Sequence, residues 1–206
     1  EGYQSLGVKR KVVQVGDVML DAALKFANQP NAAQKVNEMK PSKEFILCTL
    51  HRQENTDCPE KLTNLVKAIN EVHSNIPVVL PLHPRTSQKL KLYNLKLNCL
   101  LIPPQGYLEM LCWLQNCQFV MTDSGGVQKE AYFMQKKCLT LRTETEWVEL
   151  THHGVNKLIG NDIDQLKTYL PWALKLEPEL FEEPLYGDGN ASEHIVNEIR
   201  KFLDQP

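Results

Sequence analysis

Short apolar runs alternate with stretches of helical period along this chain, and that alternation limits what it can fold into. Phe45–Leu50, Pro77–Leu82, Cys99–Ile102, Phe119–Met121, Cys138–Leu141 and Val155–Ile159 read as strands, as does Lys11–Val15 ahead of them. Phe45–Leu50 has almost no polar member, the pattern of a strand covered on both faces. Between the runs, Leu62, Leu65, Val66, Ile69 and Val72 form a helical stripe behind Pro59, a good first-turn residue. Val18–Phe26, Ala32–Met39, Thr86–Leu92, Tyr107–Leu114, Asp162–Leu174 and Ala191–Leu203 read as further helices, and Arg142–Val148 leads into another. Strand–helix alternation throughout specifies an α/β fold, a Rossmann-like parallel sheet with helices on both faces.

In such a sheet ligands bind beyond the carboxyl ends of the strands. Four polar loops follow strands here: His51–Asn55, His83–Arg85, Pro104–Gly106 and Asp123–Gly126. They therefore converge on one edge and predict an anion or nucleotide site. The last is the most informative. Val127, Ala131 and Met134 follow it at helical spacing, so Ser124, Gly125 and Gly126 fall at a helix start. Free N–H groups and the positive dipole end point outward there, and glycine lets an anion approach the backbone. A lone Ser-Gly-Gly also suits a plain capped helix. Glu130, one turn in, can accept hydrogen bonds from sugar hydroxyls. His51 is either a diphosphate ligand and proton relay or a strand-end histidine bonded to backbone. Arg52 suits phosphate, with Glu54 as its candidate ion-pair partner. His83, before Pro84, carries the same ambiguity and reads first as structural. His152 and His153 read as surface residues, and Trp113 and Trp172 as packing residues.

The net charge of −2 over 206 residues gives no bulk attraction to nucleic acid or membrane, and no run approaches the roughly 18 apolar residues of a membrane span. Cys48, Cys99, Cys117 and Cys138 lie in or beside apolar runs, the pattern of reduced thiols in a cytoplasmic protein. No paired cysteine spacing suggests zinc, and no G-x-G-x-x-G suggests a dinucleotide, so no metal or cofactor is expected.

His51-Arg-Gln-Glu-Asn55, the His83-Pro loop, Pro104-Gln-Gly-Tyr-Leu108, Thr122 to Ala131 and Arg142 to Glu149, in this order, closely resemble the C-terminal half of the non-hydrolysing UDP-N-acetylglucosamine 2-epimerases. Gly187-Asp-Gly189 resembles that family's ending. The resemblance implies one half of a GT-B (glycogen phosphorylase-like) architecture, two Rossmann-like domains facing across a cleft. It implies an isomerase that removes the C2 proton of the sugar, eliminates UDP and adds it back after reprotonation on the other face. By motif, His51 resembles the histidine near diphosphate and sugar, and Gln105 lies in the loop that holds uracil. Met110 stands where an aromatic residue usually meets the nucleotide. Ser124, Gly125 and Gly126 resemble the phosphate turn, and Glu130 the carboxylate on the ribose hydroxyls. Arg52 and His83 resemble cleft positions where some members bind a second, activating substrate molecule, with Glu54 beside them.

The resemblance divides the chain into a crossover from a preceding N-terminal domain (1–15), a UDP-binding domain (16–186) and a C-terminal helix (187–206). The chain opens on Glu1 rather than Met and reads as part of something longer. The family's acid/base carboxylates lie in the other half, so these residues alone are expected to bind UDP weakly and not to catalyse. The expected partners are UDP, a UDP-sugar, that other domain and, as in relatives, a second subunit. Trp147 stands where many members have arginine, a form seen in 2-epimerases of UDP-2,3-diacetamido-glucuronate, so that sugar competes with UDP-N-acetylglucosamine as the substrate. The rival functions are a GT-B glycosyltransferase donor domain, a non-catalytic UDP-sugar binding module and a hydrolysing epimerase.

Overall fold

The computed structural model describes residues 12–42 and 44–204. Six parallel strands form one sheet: β1 (Ile46–Thr49), β2 (Val78–Pro81), β3 (Leu100–Ile102), β4 (Val120–Thr122), β5 (Cys138–Thr140) and β6 (Asn156–Leu158), in the order β3-β2-β1-β4-β5-β6. The chain winds outward from β1 to one side and from β4 to the other. The direction of winding therefore reverses between β1 and β4, which is where such sheets open a ligand crevice.

Each apolar run feeds two cores because strand side chains alternate. Ile46, Cys48, Val78, Leu80, Phe119 and Met121 point into one core, with the buried stripe of α4 (Pro59–Asn75) and with α9 (Ile163–Leu174). Leu47, Val79, Val120 and Cys138 point into the other. There they meet α1 (Val18–Phe26), α2 (Pro30–Met39), α6 (Tyr107–Asn116) and α7 (Gly125–Phe133), with Trp113 wholly buried. The remaining helices are the single turn α3 (Gln53–Thr56), α5 (Pro84–Leu92), α8 (Val148–His152) and α10 (Ala191–Leu203), plus a 3-10 turn at Pro178–Phe181. Cys48, Cys99, Cys117 and Cys138 are buried free thiols, as is Cys112. Burial pushes Cys117 and Cys138 up to about 12, so they stay protonated and inert. No helix among the described residues is long and apolar enough to cross a membrane.

Three readings of the sequence are corrected. The expected strand at Lys11–Val15 does not form: residues 12–15 carry no regular structure, Val12 is 93% exposed, and Lys11 lies outside the described residues. Valines favour strands only where a neighbouring strand covers them. Polar residues 53–56 form α3 rather than a loop. His153 is not a free surface residue, since its Nε2 lies 2.7 Å from the Leu180 carbonyl and its ring meets Tyr132 edge-on.

The proposed domain limits at residues 16 and 187 meet in space. Gly16 (φ +92°) and Gly187 (φ +94°) sit back to back, and a Cβ on Gly187 would come 3.0 Å from the Gly16 Cα. Only glycine takes such backbone angles at this spacing without strain. Asp17 N–H donates to the Tyr186 carbonyl at 2.9 Å, and the Asp21 carboxylate accepts from Ala191 and Ser192 N–H, fastening α10 to α1.

Candidate functional site

The site is built where the loops leaving β1 and β4 adjoin. β1 runs into His51-Arg52, and β4 into Asp123-Ser124. Asp123 has no exposed side-chain surface, and its carboxylate accepts from His51 N–H (3.1 and 3.0 Å), Arg52 N–H (2.8 Å) and Asn55 Nδ2 (3.2 Å). Asn55 also donates to the Leu141 carbonyl at 2.9 Å, which draws in the loop after β5. Sequence reasoning placed Asp123 only in a turn. A signal was present: a carboxylate next to a phosphate turn repels phosphate unless it is turned inward and satisfied by donors.

Ser124 is the N-cap of α7, and among the described residues no side chain caps the helix. The N–H groups of its first turn are therefore open. The two glycines do different jobs. A Cβ on Gly125 would lie 3.4 Å from Arg52 Nη2, 3.5 Å from Glu146 Oε2 and 3.6 Å from Trp147 Nε1, so Gly125 lets three side chains crowd the turn. A Cβ on Gly126 would meet nothing within 4 Å, so that face of the turn is open. Trp147 Nε1 donates to the Gly125 carbonyl at 2.8 Å and fixes the turn's orientation.

Glu54 does not pair with Arg52. It accepts from Nε of the buried Arg142 at 2.8 Å, and the same guanidinium holds Glu146 through two bonds of 2.9 and 3.1 Å. The Arg142 hydrogen bonds hold Glu146 below the usual carboxylate range. Among the described residues no carboxylate forms an ion pair with Arg52, whose guanidinium lies beside the Ser124–Gly126 turn.

A cavity of about 190 Å³ opens next to this turn. His51, His83, Gln105 and Met110 line it, and Val127 is the contribution of α7. Ser124, Gly125, Gly126 and Glu130 are not in its wall; they continue from it along α7. His51 Nδ1 lies 3.3 Å from Asp123 Oδ1, and its ring centroid is 5.5 Å from that of His83. Burial lowers the His51 pKa from its ordinary value; Asp123 opposes that, while His83 and Arg52 add to it. His83 is exposed, and its Nδ1 accepts from Arg85 N–H at 3.2 Å as the N-cap of α5. His83 thus caps α5 and also stands on the wall of the cavity. Gln105 donates to the Pro103 carbonyl (2.7 Å) and accepts from Trp113 Nε1 (3.1 Å), which fixes its loop.

Glu130 is only 9% exposed, and its carboxylate takes no hydrogen bond from the described residues. Burial pushes its carboxyl above the usual range, against the pull of Lys129. Its charge reaches the phenol of Tyr107, raising that pKa further beyond the effect of burial. Tyr107, read in the sequence as a helix start and as part of the Pro104–Leu108 motif, thus lies within electrostatic reach of Glu130. No group of metal-ligating side chains occurs among the described residues.

A family model described as UDP-N-acetylglucosamine 2-epimerase matches residues 4–200. The chain is 45% identical over 207 residues to a UDP-2,3-diacetamido-2,3-dideoxy-D-glucuronate 2-epimerase of Pseudomonas aeruginosa, a match covering 98% of this chain and 56% of that protein. The structure of the UDP-GlcNAc 2-epimerase of Methanocaldococcus jannaschii superposes with a TM-score of 0.87 at 33% identity, covering 96% of this chain and 58% of the other. The same enzyme in complex with UDP-GlcNAc and UDP gives 0.85 at 32% identity, covering 96% and 57%. The chain thus spans about half the length of the curated relatives it matches.

Proposed function

The chain belongs to the UDP-N-acetylglucosamine 2-epimerase family, and from that premise we propose that it supplies the nucleotide-binding half of a UDP-sugar 2-epimerase. The observation that carries this reading is the uncapped start of α7, open above Gly126 and one residue from Val127, which lines the His51 cavity. The diphosphate sits on the N–H groups of Gly125, Gly126 and Val127, with the Arg52 guanidinium beside it. Glu130 takes the ribose hydroxyls, which would supply donors to a carboxylate that has none among the described residues. The base lies against Met110 and the Gln105 loop. His51 then faces the bond between diphosphate and sugar.

The reaction removes the C2 proton, expels UDP from C1 and adds it back once the other face of C2 is protonated. The groups that move the C2 proton come from the part of the relatives' length that this chain does not match. The P. aeruginosa relative and Trp147 favour a second reading of the sugar, a UDP-2,3-diacetamido-glucuronate. Deuterium incorporation at C2 with each UDP-sugar, measured on a protein of the relatives' full length, separates the two.

Calorimetric titration of this chain with UDP tests the nucleotide assignment. Ser124→Ala and Glu130→Gln are the controls. Binding lost in neither variant would place the nucleotide elsewhere. A hydrogen bond to a charged group contributes about 1.5–3 kcal/mol, so Glu130→Gln is expected to weaken UDP by roughly 10- to 100-fold. The same variant is expected to raise the Tm at pH 7. Because burial raises the Glu130 pKa from 4.5, the native state holds this proton more tightly than the unfolded chain does. The wild type is therefore most stable with the proton on, and loses stability as pH rises from the unfolded value through the folded one. The substituted amide would carry no charge to desolvate. A Tm gain that vanishes at pH 4 fits this account; a gain independent of pH refutes it.

A further inference from the structure

Asp123 touches no part of the nucleotide so placed, yet it is the most completely bonded carboxylate of the site. We propose that Asp123 is a positioning residue that orients the His51 imidazole through Nδ1, leaves Nε2 facing the cavity, and locks the histidine loop to the phosphate turn. This rests on the nucleotide assignment for its purpose but not for its geometry.

Three facts carry it. First, the carboxylate is sealed from solvent and accepts from the backbone N–H of both His51 and Arg52, so the loop cannot shift without stranding a buried charge. Second, Nδ1 of the same histidine lies 3.3 Å from Asp123 Oδ1. A neutral imidazole has one N–H, and the negative charge beside Nδ1, an ion-pair contact without hydrogen-bond alignment, favours the tautomer that carries it there. The Nε2 lone pair is then presented to the cavity that His51 lines. Third, Asp123 directly precedes Ser124, the cap of α7, so one side chain spaces histidine and helix start.

The charges around His51 make the arrangement selective. Among the described residues Asp123 is the one group facing the ring that favours the imidazolium; the His83 ring and Arg52 oppose it, as does burial. The unliganded ring is therefore held neutral, close to a carboxylate that can support a proton. A diphosphate arriving at the turn, which Asp123 directly precedes, adds further negative charge near the ring. UDP binding is then accompanied by proton uptake on Nε2, with Asp123 holding the other nitrogen.

The test is imidazole 15N NMR of the whole chain against pH, with and without UDP, for wild type and Asp123→Asn. Asparagine keeps an acceptor for the backbone N–H groups and removes the charge. Wild-type His51 is expected as the Nδ1–H tautomer when neutral. In Asp123→Asn the tautomer shifts toward Nε2–H, the titration midpoint falls, and UDP binds roughly tenfold more weakly near pH 6.5, about what one charge-assisted hydrogen bond contributes. An Nε2–H tautomer in the wild type overturns the proposal, whether or not the variant folds. So does a tautomer and midpoint unchanged by the substitution. If wild type fails to bind UDP while tautomer and midpoint respond as stated, the nucleotide assignment falls and the orienting role stands.

Discussion

Gly126→Asp is expected to abolish UDP binding while leaving the fold at least as stable as before. The two halves of that result come from different physics. A Cβ at residue 126 would meet no atom within 4 Å outside the helix's own backbone, so its addition displaces nothing. Its backbone is already helical, so losing glycine's freedom in the unfolded chain contributes about 0.4–1 kcal/mol of stability. An acidic group in the first turn of α7 also interacts favourably with the positive end of the helix. The same carboxylate occupies the space proposed for the diphosphate. Two unit charges about 4 Å apart at an effective dielectric of 20 repel by ~4 kcal/mol, roughly a thousandfold in affinity. Gly126→Ala separates charge from bulk: it should match the stability gain and lose far less affinity. Thermal unfolding and UDP titration of both variants decide it. Undiminished UDP binding by the aspartate variant would remove the phosphate from α7.

The parts of this site that were legible in the sequence are those set by local pattern. Runs such as Phe45–Leu50 and Cys138–Leu141 are apolar because helices cover both faces of the sheet, and a polar residue after such a run lands at the sheet's carboxyl edge. That places His51, His83 and Gln105 around one cavity without any knowledge of distance. Pairings across the chain were not legible. Glu54 looked like a partner for Arg52 because it is near in sequence, but residues two apart on a helical turn do not face each other. Arg142 reaches it from 88 residues away, off the end of β5. The strand expected at Lys11–Val15 fails for a related reason: local preference cannot supply the neighbour that a strand needs. Asp123 lies between these cases. Its place in the turn was readable, but the direction of its side chain depends on donors from a loop 71 and 72 residues earlier.

Lys129 and Asp17 are the most consequential of these long-range pairs, and Lys129→Met is expected to lower the Tm by roughly 6–12 °C. The lysine lies on the buried side of α7, its side chain 5% exposed, with its ammonium bonded to the Asp17 carboxylate. The ammonium also sits 4.3 Å from the ring centroid of Trp147 and 5.1 Å from that of Tyr186. Asp17 has a second task, accepting from Met19 N–H at 2.8 Å as the N-cap of α1. Methionine fills the same volume but leaves the Asp17 charge without its cation. Breaking a buried pair from one side costs about 3–5 kcal/mol. The lower end applies because the Asp17 side chain is 19% exposed and keeps its backbone donor. For a chain of this length ~3 kcal/mol corresponds to about 6–12 °C. Asp17→Asn combined with Lys129→Met removes both charges and keeps the cap, so it should recover most of the loss, since a neutral, well-packed pair often matches a buried ion pair. An unchanged Tm in Lys129→Met, or a double variant no better than the single, would show that the pair contributes by shape and not by charge. The same substitution carries a consequence for the site. Without the ammonium beneath it the Trp147 ring loses its cation–π support, worth about 0.5–2 kcal/mol, and Trp147 is the residue that holds the Gly125 carbonyl. The double variant is therefore expected to regain stability without fully regaining UDP affinity, because neutralising Asp17 restores the charge balance but not the cation under the indole.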